Sequence, residues 1–141
     1  MKHYRYRISL RLWHPALDPN EITAALGIAP KFSWKANDPR TTPRGDPLMA
    51  LPYSYWSGRG VDGNSRERSL PDGLSNMLTE LQPNKPLFDR VNSDGGKVEL
   101  FVGWWLEDEN SGEVFESELL KEFSDLGVRL SLDIYFDPPQ R

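Results

Sequence analysis

A chain of 141 residues, 38% hydrophobic and 27% charged, with five Trp, five Tyr and six Phe, is expected to fold as one domain over residues 1–141, with aromatic side chains supplying much of its core. The absence of Cys excludes a disulfide framework, a thiol nucleophile and a thiolate metal site, and it favours a reducing, cytoplasmic setting. A net charge of −4 is too mild to imply much by itself, but the layout is uneven: residues 1–68 hold 11 Lys+Arg and 6 Asp+Glu, residues 69–141 hold 6 and 15.

The opening segment alternates Tyr4, Tyr6, Ile8, Leu10 and Leu12 against His3, Arg5, Arg7, Ser9, Arg11 and Trp13, the pattern of a strand with one face in a core. Arg7 and Arg11 interrupt every stretch that would serve as the apolar centre of an export signal, and no run approaches the ~18 apolar residues of a membrane span. "LDPNEITAALGIAP" then predicts a short helix. Asp18 is its N-cap, Pro19 its first residue, Glu21 the partner reaching back to the cap amide, and Leu17 with Ile22 a hydrophobic staple. Gly27 supplies a left-handed stop and Pro30 prevents resumption.

Residues 30–68, with five Pro and four Gly, are expected as a long Pro/Gly-rich loop whose one strand-like piece is 53–57. Within it Gly58, Gly60 and Gly63 fall on a G-x-G-x-x-G spacing. A dinucleotide site needs a helix N-terminus straight after those glycines, and here "RERSLPDG" follows, so they read as turn residues. From Pro71, Leu74, Met77, Leu78 and Leu81 predict a second helix that Pro83 ends, with "PLFDRV" adding one turn. "KVELFVGWWLE" predicts a strand with Val98, Leu100, Val102 and Trp104 on one face and Glu99, Phe101, Gly103 and Trp105 on the other. "DENSG" and "EVFES" turn it into a hairpin. Ser117 is expected to cap a helix with Leu119, Leu120, Phe123 and Leu126 inward, closed by Gly127. "RLSLDIYF" alternates Leu130, Leu132, Ile134 and Phe136 against Ser131, Asp133 and Tyr135.

Strand, helix and strand thus recur, from 4 to 57 and from 97 to 136, with a further helix between them. That order implies an α+β fold: a ferredoxin-like two-layer sandwich, mainly antiparallel sheet with helices on one face. On "LDPNEITAALGIAP", the "YW" at 55–56, the leucine-spaced second helix and "LSLDIYF", the chain resembles a bacterial family known as domain of unknown function 4279, from roughly Tyr4 to Phe136. The resemblance supports the fold and implies no activity, ligand or catalytic set.

Candidate chemistry is sparse. Two His eleven positions apart, His3 and His14, lack metal-ligand spacing, and His14 in "WHP" reads as a turn residue. The acidic run Glu107, Asp108, Glu109 with Glu113 lacks the alternating oxygens of a calcium loop. Neither a metal nor a cofactor is expected, and no G-x-S-x-G elbow or catalytic residue stands out. Glu99 and Asp133 lie on like faces of strands that could each neighbour the first strand, within the ~5–9 Å used by paired catalytic carboxylates. Arg5, Arg7 and Arg11 on the matching face are expected to pair with them instead, which would hold their carboxyls down and argue against an enzyme.

What remains is the face itself: Arg5, Arg7, Arg11, Trp13, Glu99, Trp105, Asp133 and Tyr135 form an aromatic and charged surface for an unknown protein or a small anionic ligand. The loop folding back, packing into a homodimer, or simple solvation of arginine stems over the rings would each cover it without function. The reading is a non-catalytic binding or protein-interaction module. Its alternatives are a small carboxylate-dependent enzyme acting on a small polar or sugar-like substrate, and single-stranded nucleic-acid binding, against which stand the pI of 5.2 and the lack of an R-G-F-G-F-type strand.

Overall fold

The alternation that opens the sequence becomes β1 (Tyr4–His14), the longest strand of the structure, a computed structural model that describes residues 3–140. Tyr4, Tyr6, Ile8, Leu10 and Leu12 are buried, Arg5 and Arg7 are exposed, and Ser9, Arg11 and Trp13 are partly covered. One face of β1 is therefore committed to the core and the other left outside it.

α1 (Pro19–Leu26) starts and stops as its sequence predicts. Asp18 accepts the Asn20 amide at 2.9 Å, Gly27 takes φ +71°, and Leu17 and Ile22 are both buried. Glu21 departs from the expected capping box, its carboxylate standing 3.5 Å from Arg90 instead.

The segment 30–68 departs furthest. It contributes β2 (Phe32–Trp34), a small hairpin of β3 (Arg40–Thr41) and β4 (Pro47–Leu48), then β5 (Ser54–Ser57) and β6 (Val61–Asn64). β5 and β6 run antiparallel along successive halves of one β1 edge, with a one-residue slip between them: Ser57 opposes Arg11, whereas Val61 opposes Ile8. The extra residue is a bulge, so Gly58 and Gly60 lie in the link between the two halves and Gly63 within β6. A Cβ at Gly63 would stand 2.3 Å from Cζ of Tyr6, so only glycine lets β6 lie this close to the ring. Strands of two to four residues are too short to display a period of two; the edge of β1 organises β5 and β6, β5 in turn holds β2, and β3 and β4 pair only with each other.

α2 (Leu70–Leu81), capped by Ser69 accepting the Asp72 amide at 3.2 Å, buries Leu70, Leu74, Leu78 and Leu81. After a 3-10 turn at Gln82–Asn84 comes α3 (Lys85–Ser93), a helix of nine residues rather than one added turn, burying Phe88 and Val91. β7 (Lys97–Leu106) pairs antiparallel with β1 from Trp13 to Tyr4. The expected hairpin after it does not form. Residues 107–116 contain no strand, and α4 (Ser117–Leu126) carries the chain across to β8 (Arg129–Phe136), which lies parallel to β7. Parallel neighbours require such a crossover. Ser117 is the first helical residue and Glu116 the cap position.

The result is a mixed α+β fold on a mainly antiparallel six-stranded sheet of order β2-β5-β1-β7-β8, with β6 also beside β1. Ile22, Leu74, Phe88 and Phe123, one from each helix, join the buried β1 side chains in a single core, which places all four helices on the same face of the sheet. No helix among the described residues is long and apolar enough to cross a membrane.

Candidate functional site

The helix-free face is built from the odd-numbered residues of β1, β7 and β8, because register places like parity side by side. Arg5 lies between Asn64 and Trp105, with Tyr135 beyond. Arg7 lies between Asp62 and Gly103, with Asp133 beyond. Arg11 lies between Ser57 and Glu99, with Arg129 beyond, and Trp13 between Tyr55 and Lys97. All eight residues singled out from the sequence therefore share this face. β8 does not lie beside β1 as anticipated; β7 separates them, and the face runs continuously across it.

The anticipated ion pairs are replaced by others. Arg7 forks onto Asp62, Nε at 2.6 Å from one oxygen and Nη2 at 3.3 Å from the other. The Arg7 hydrogen bond holds the Asp62 carboxyl below its ordinary value, and Asp62 in turn raises the guanidinium. Arg5 pairs with Asp137. Glu99 accepts from Arg129, Nη2 at 3.0 Å and Nε at 3.1 Å, and is 3% exposed although it lies on the open side. Asp133 accepts the Tyr135 hydroxyl at 2.6 Å, which raises that phenol. Register is the reason: Asp62 lies directly opposite Arg7, whereas Asp133 is two strands away, about 10 Å. The same register sets Glu99 and Asp133 four residues apart along the strand direction, roughly 13 Å, beyond the reach of a carboxylate pair acting on one bond.

Aromatic rings and guanidinium groups interleave over the whole face. Arg11 lies 3.7 Å over Phe101, Arg5 5.6 Å over Trp105, and Arg129 5.5 Å over Trp13. Trp105 stacks on Tyr135 at 5.7 Å. At the other end Trp34 stacks on Tyr55 at 4.6 Å, with Arg40 4.8 Å over Trp34. Among the described residues Arg11 has no carboxylate within ion-pair distance. A surface cavity of about 630 Å³ opens beside Arg5, Arg7, Asp62, Glu67 and Trp105.

Sequence reasoning missed Trp34, Tyr55 and Arg129 as members of this face. Arg129 was within reach, since it shares the parity of Asp133 in the same alternating run. Trp34 and Tyr55 were not, because their strands carry no periodic signal. His14 closes the turn after β1: its Nδ1 accepts the amides of Ala16 at 2.9 Å and Leu17 at 2.7 Å, so its proton sits on Nε2 and is donated to Asp94 at 2.9 Å.

Fold and face together define a small α+β module whose sheet is covered by helices on one side and bears an arginine-aromatic lattice on the other. The family model for a domain of unknown function (DUF4279) matches residues 3–137, and the chain belongs to that family. No curated protein and no solved structure matches it.

Proposed function

We infer that the chain is a non-catalytic binding module whose helix-free sheet face receives an anionic partner, either an acidic protein segment or a small ligand bearing carboxylate or phosphate. The observation that carries this reading is Arg11: its guanidinium lies over Phe101 at mid-face with no carboxylate partner among the described residues, while Arg5, Arg7 and Arg129 are each held by one. A guanidinium backed by a ring keeps its outer hydrogen-bonding edge for a carboxylate or phosphate fork. Trp13, two residues along β1, stands beside it as an apolar anchor, and Trp105, opposite Arg5, offers a second one roughly 20 Å away at the far end of the face.

The enzyme alternative is disfavoured by the separation of Glu99 from Asp133 and by the hydrogen bond each already accepts. Single-stranded nucleic acid remains an outcome of the test, since stacked rings beside arginines serve that purpose elsewhere. The ferredoxin-like reading belongs here too. Strand order β7-β1-β5-β2, with α1 linking β1 to β2 and α2 with α3 linking β5 to β7, supports it, with α4 and β8 as an addition. A cytoplasmic, reducing setting is part of the proposal, resting on the Cys-free composition.

The experiment is titration of the full chain with poly-glutamate, citrate, inorganic phosphate and oligo-dT across a salt series, beside Arg11→Glu and Trp105→Ala variants checked for unchanged melting. Carboxylate or phosphate probes are expected to bind and to be lost in Arg11→Glu. Binding of none of them, or equal binding by both variants, overturns the reading; preference for oligo-dT with steep salt dependence replaces it with the nucleic-acid alternative.

A further inference from the structure

β8 ends the sheet, and among the described residues no strand lies along its outer edge. Asp137 donates its amide to the Leu106 carbonyl at 2.8 Å, so by strand alternation the odd-numbered residues of β8 turn their backbone groups toward β7. Leu130, Leu132, Ile134 and Phe136 turn theirs outward. Of these, Leu130 packs partly against the core, while Leu132, Ile134 and Phe136 carry exposed apolar side chains, at 38%, 52% and 56%. The usual protections of an edge are missing, for residues 130–136 contain no Lys, Pro, Gly or bulge, and the one charge, Asp133, is held by Tyr135 on the opposite face. A regular apolar edge of this kind is a template for another strand.

We propose that β8 pairs with β8 of a second copy of this chain, antiparallel about a two-fold axis at Ile134, so that two six-stranded sheets become one. The second copy is chosen because β8 is its own complement in this one register. Centred on Ile134, that residue meets itself, Leu132 meets Phe136, and Tyr135 meets Asp133, so every exposed apolar side chain is matched and a phenol opposes a carboxylate. Centred on Asp133, two carboxylates would be directly opposed. Centred on Leu132 or Ser131, Phe136 would reach past the first residue of the partner strand; centred on Tyr135, Asp133 would face Asp137 and Pro138 would take the place opposite Leu132, leaving two fully bonded pairs, whereas the Ile134 register sets Pro138 opposite Leu130, outside its fully bonded pairs. The Ile134 register also brings outward-turned groups together at three pairs, each able to exchange two hydrogen bonds. This edge is separate from the face proposed above for an anionic partner, and neither proposal requires the other.

The chain has no Cys, so single-cysteine variants report the register directly. In Ile134→Cys the two thiols lie on Cα atoms about 5.5 Å apart and are expected to form a disulfide-linked dimer under mild oxidation. Ser131→Cys, with its two positions roughly 20 Å apart, is expected to cross-link on the order of tenfold more slowly or not at all. Sedimentation of the unmodified chain is expected to show a dimer, and Ile134→Lys to weaken it by about thirtyfold or more. A monomer at about 100 µM, equal cross-linking of the two cysteine variants, or a dimer indifferent to Ile134→Lys in a folded protein each overturns the pairing. So does a monomer that takes up an added apolar strand peptide in place of its own copy.

Discussion

Glu99 and Arg129 face each other across the parallel pair β7 and β8, and their contact leaves a carboxylate almost wholly buried on the side of the sheet that has no helices. Removing the cation strands the anion. Arg129→Met is expected to cost about 1–3 kcal/mol, below the range of a fully buried pair because Arg129 is itself half exposed and Arg11 stands opposite Glu99 on the other side. Adding Glu99→Gln should recover at least half of that loss. Urea unfolding of the two single variants and the double variant measures the coupling, and strictly additive losses would refute it.

Gly63 and Tyr6 make a second close approach, with no room for a methyl group between strand and ring. Gly63→Ala is expected to destabilise by about 1–3 kcal/mol through a forced shift of the ring or of β6. Combined with Tyr6→Leu, which clears the space, the alanine should cost much less than it does alone. Thermal melting of the four proteins decides the matter.

The Tyr4 hydroxyl accepts the Leu70 amide at 2.8 Å and donates to Glu113. Burial first, and then that hydrogen bond, push its phenol well above the ordinary value of 10, and burial moves Tyr6 in the same direction. A group whose folded pKa is raised contributes its full stability below the unfolded pKa and loses it as pH climbs toward the folded one. Stability is therefore expected to fall as pH passes about 10, and to fall less steeply in Tyr4→Phe, although that variant starts lower because the Leu70 amide has lost its acceptor. Denaturation curves from about pH 8 to about pH 11 test this, and parallel slopes would remove Tyr4 as the cause.

Trp56 is fully buried between β5 and α1 and donates its indole N–H to Thr23 at 3.0 Å. Thr23→Val, which keeps the shape and removes the acceptor, is expected to cost about 1–3 kcal/mol by leaving a buried donor unpaired. In a Trp56→Phe background the same change should be nearly silent, as chemical denaturation would show.

Apart from the short piece at 53–57, which forms β5, the elements that could be read before any coordinates share one property: they announce themselves over eight or more residues. β1 shows its alternation, α1 its cap, staple and glycine stop, and α2 its leucine spacing. What escaped was set by partners distant in sequence. β6 and β2 have no pattern of their own and exist because β1 and β5, respectively, offer them an edge, and "EVFES" fails to pair because α4 delivers β8 to the position beside β7. Likewise the members of the open face followed from parity, whereas the identity of each ion pair did not: Arg7 takes Asp62 and Glu99 takes Arg129 because of register, which one strand cannot reveal about another.

The central position of β1 also bears on how the chain is made. Its longest partnership, with β7, spans Tyr4 to Leu106, so this strand must wait for about a hundred residues to follow before one of its flanks is closed. Closing so large a loop is slow. Folding of this domain is consequently expected to complete late, once β7 is available, rather than to grow stepwise from β1.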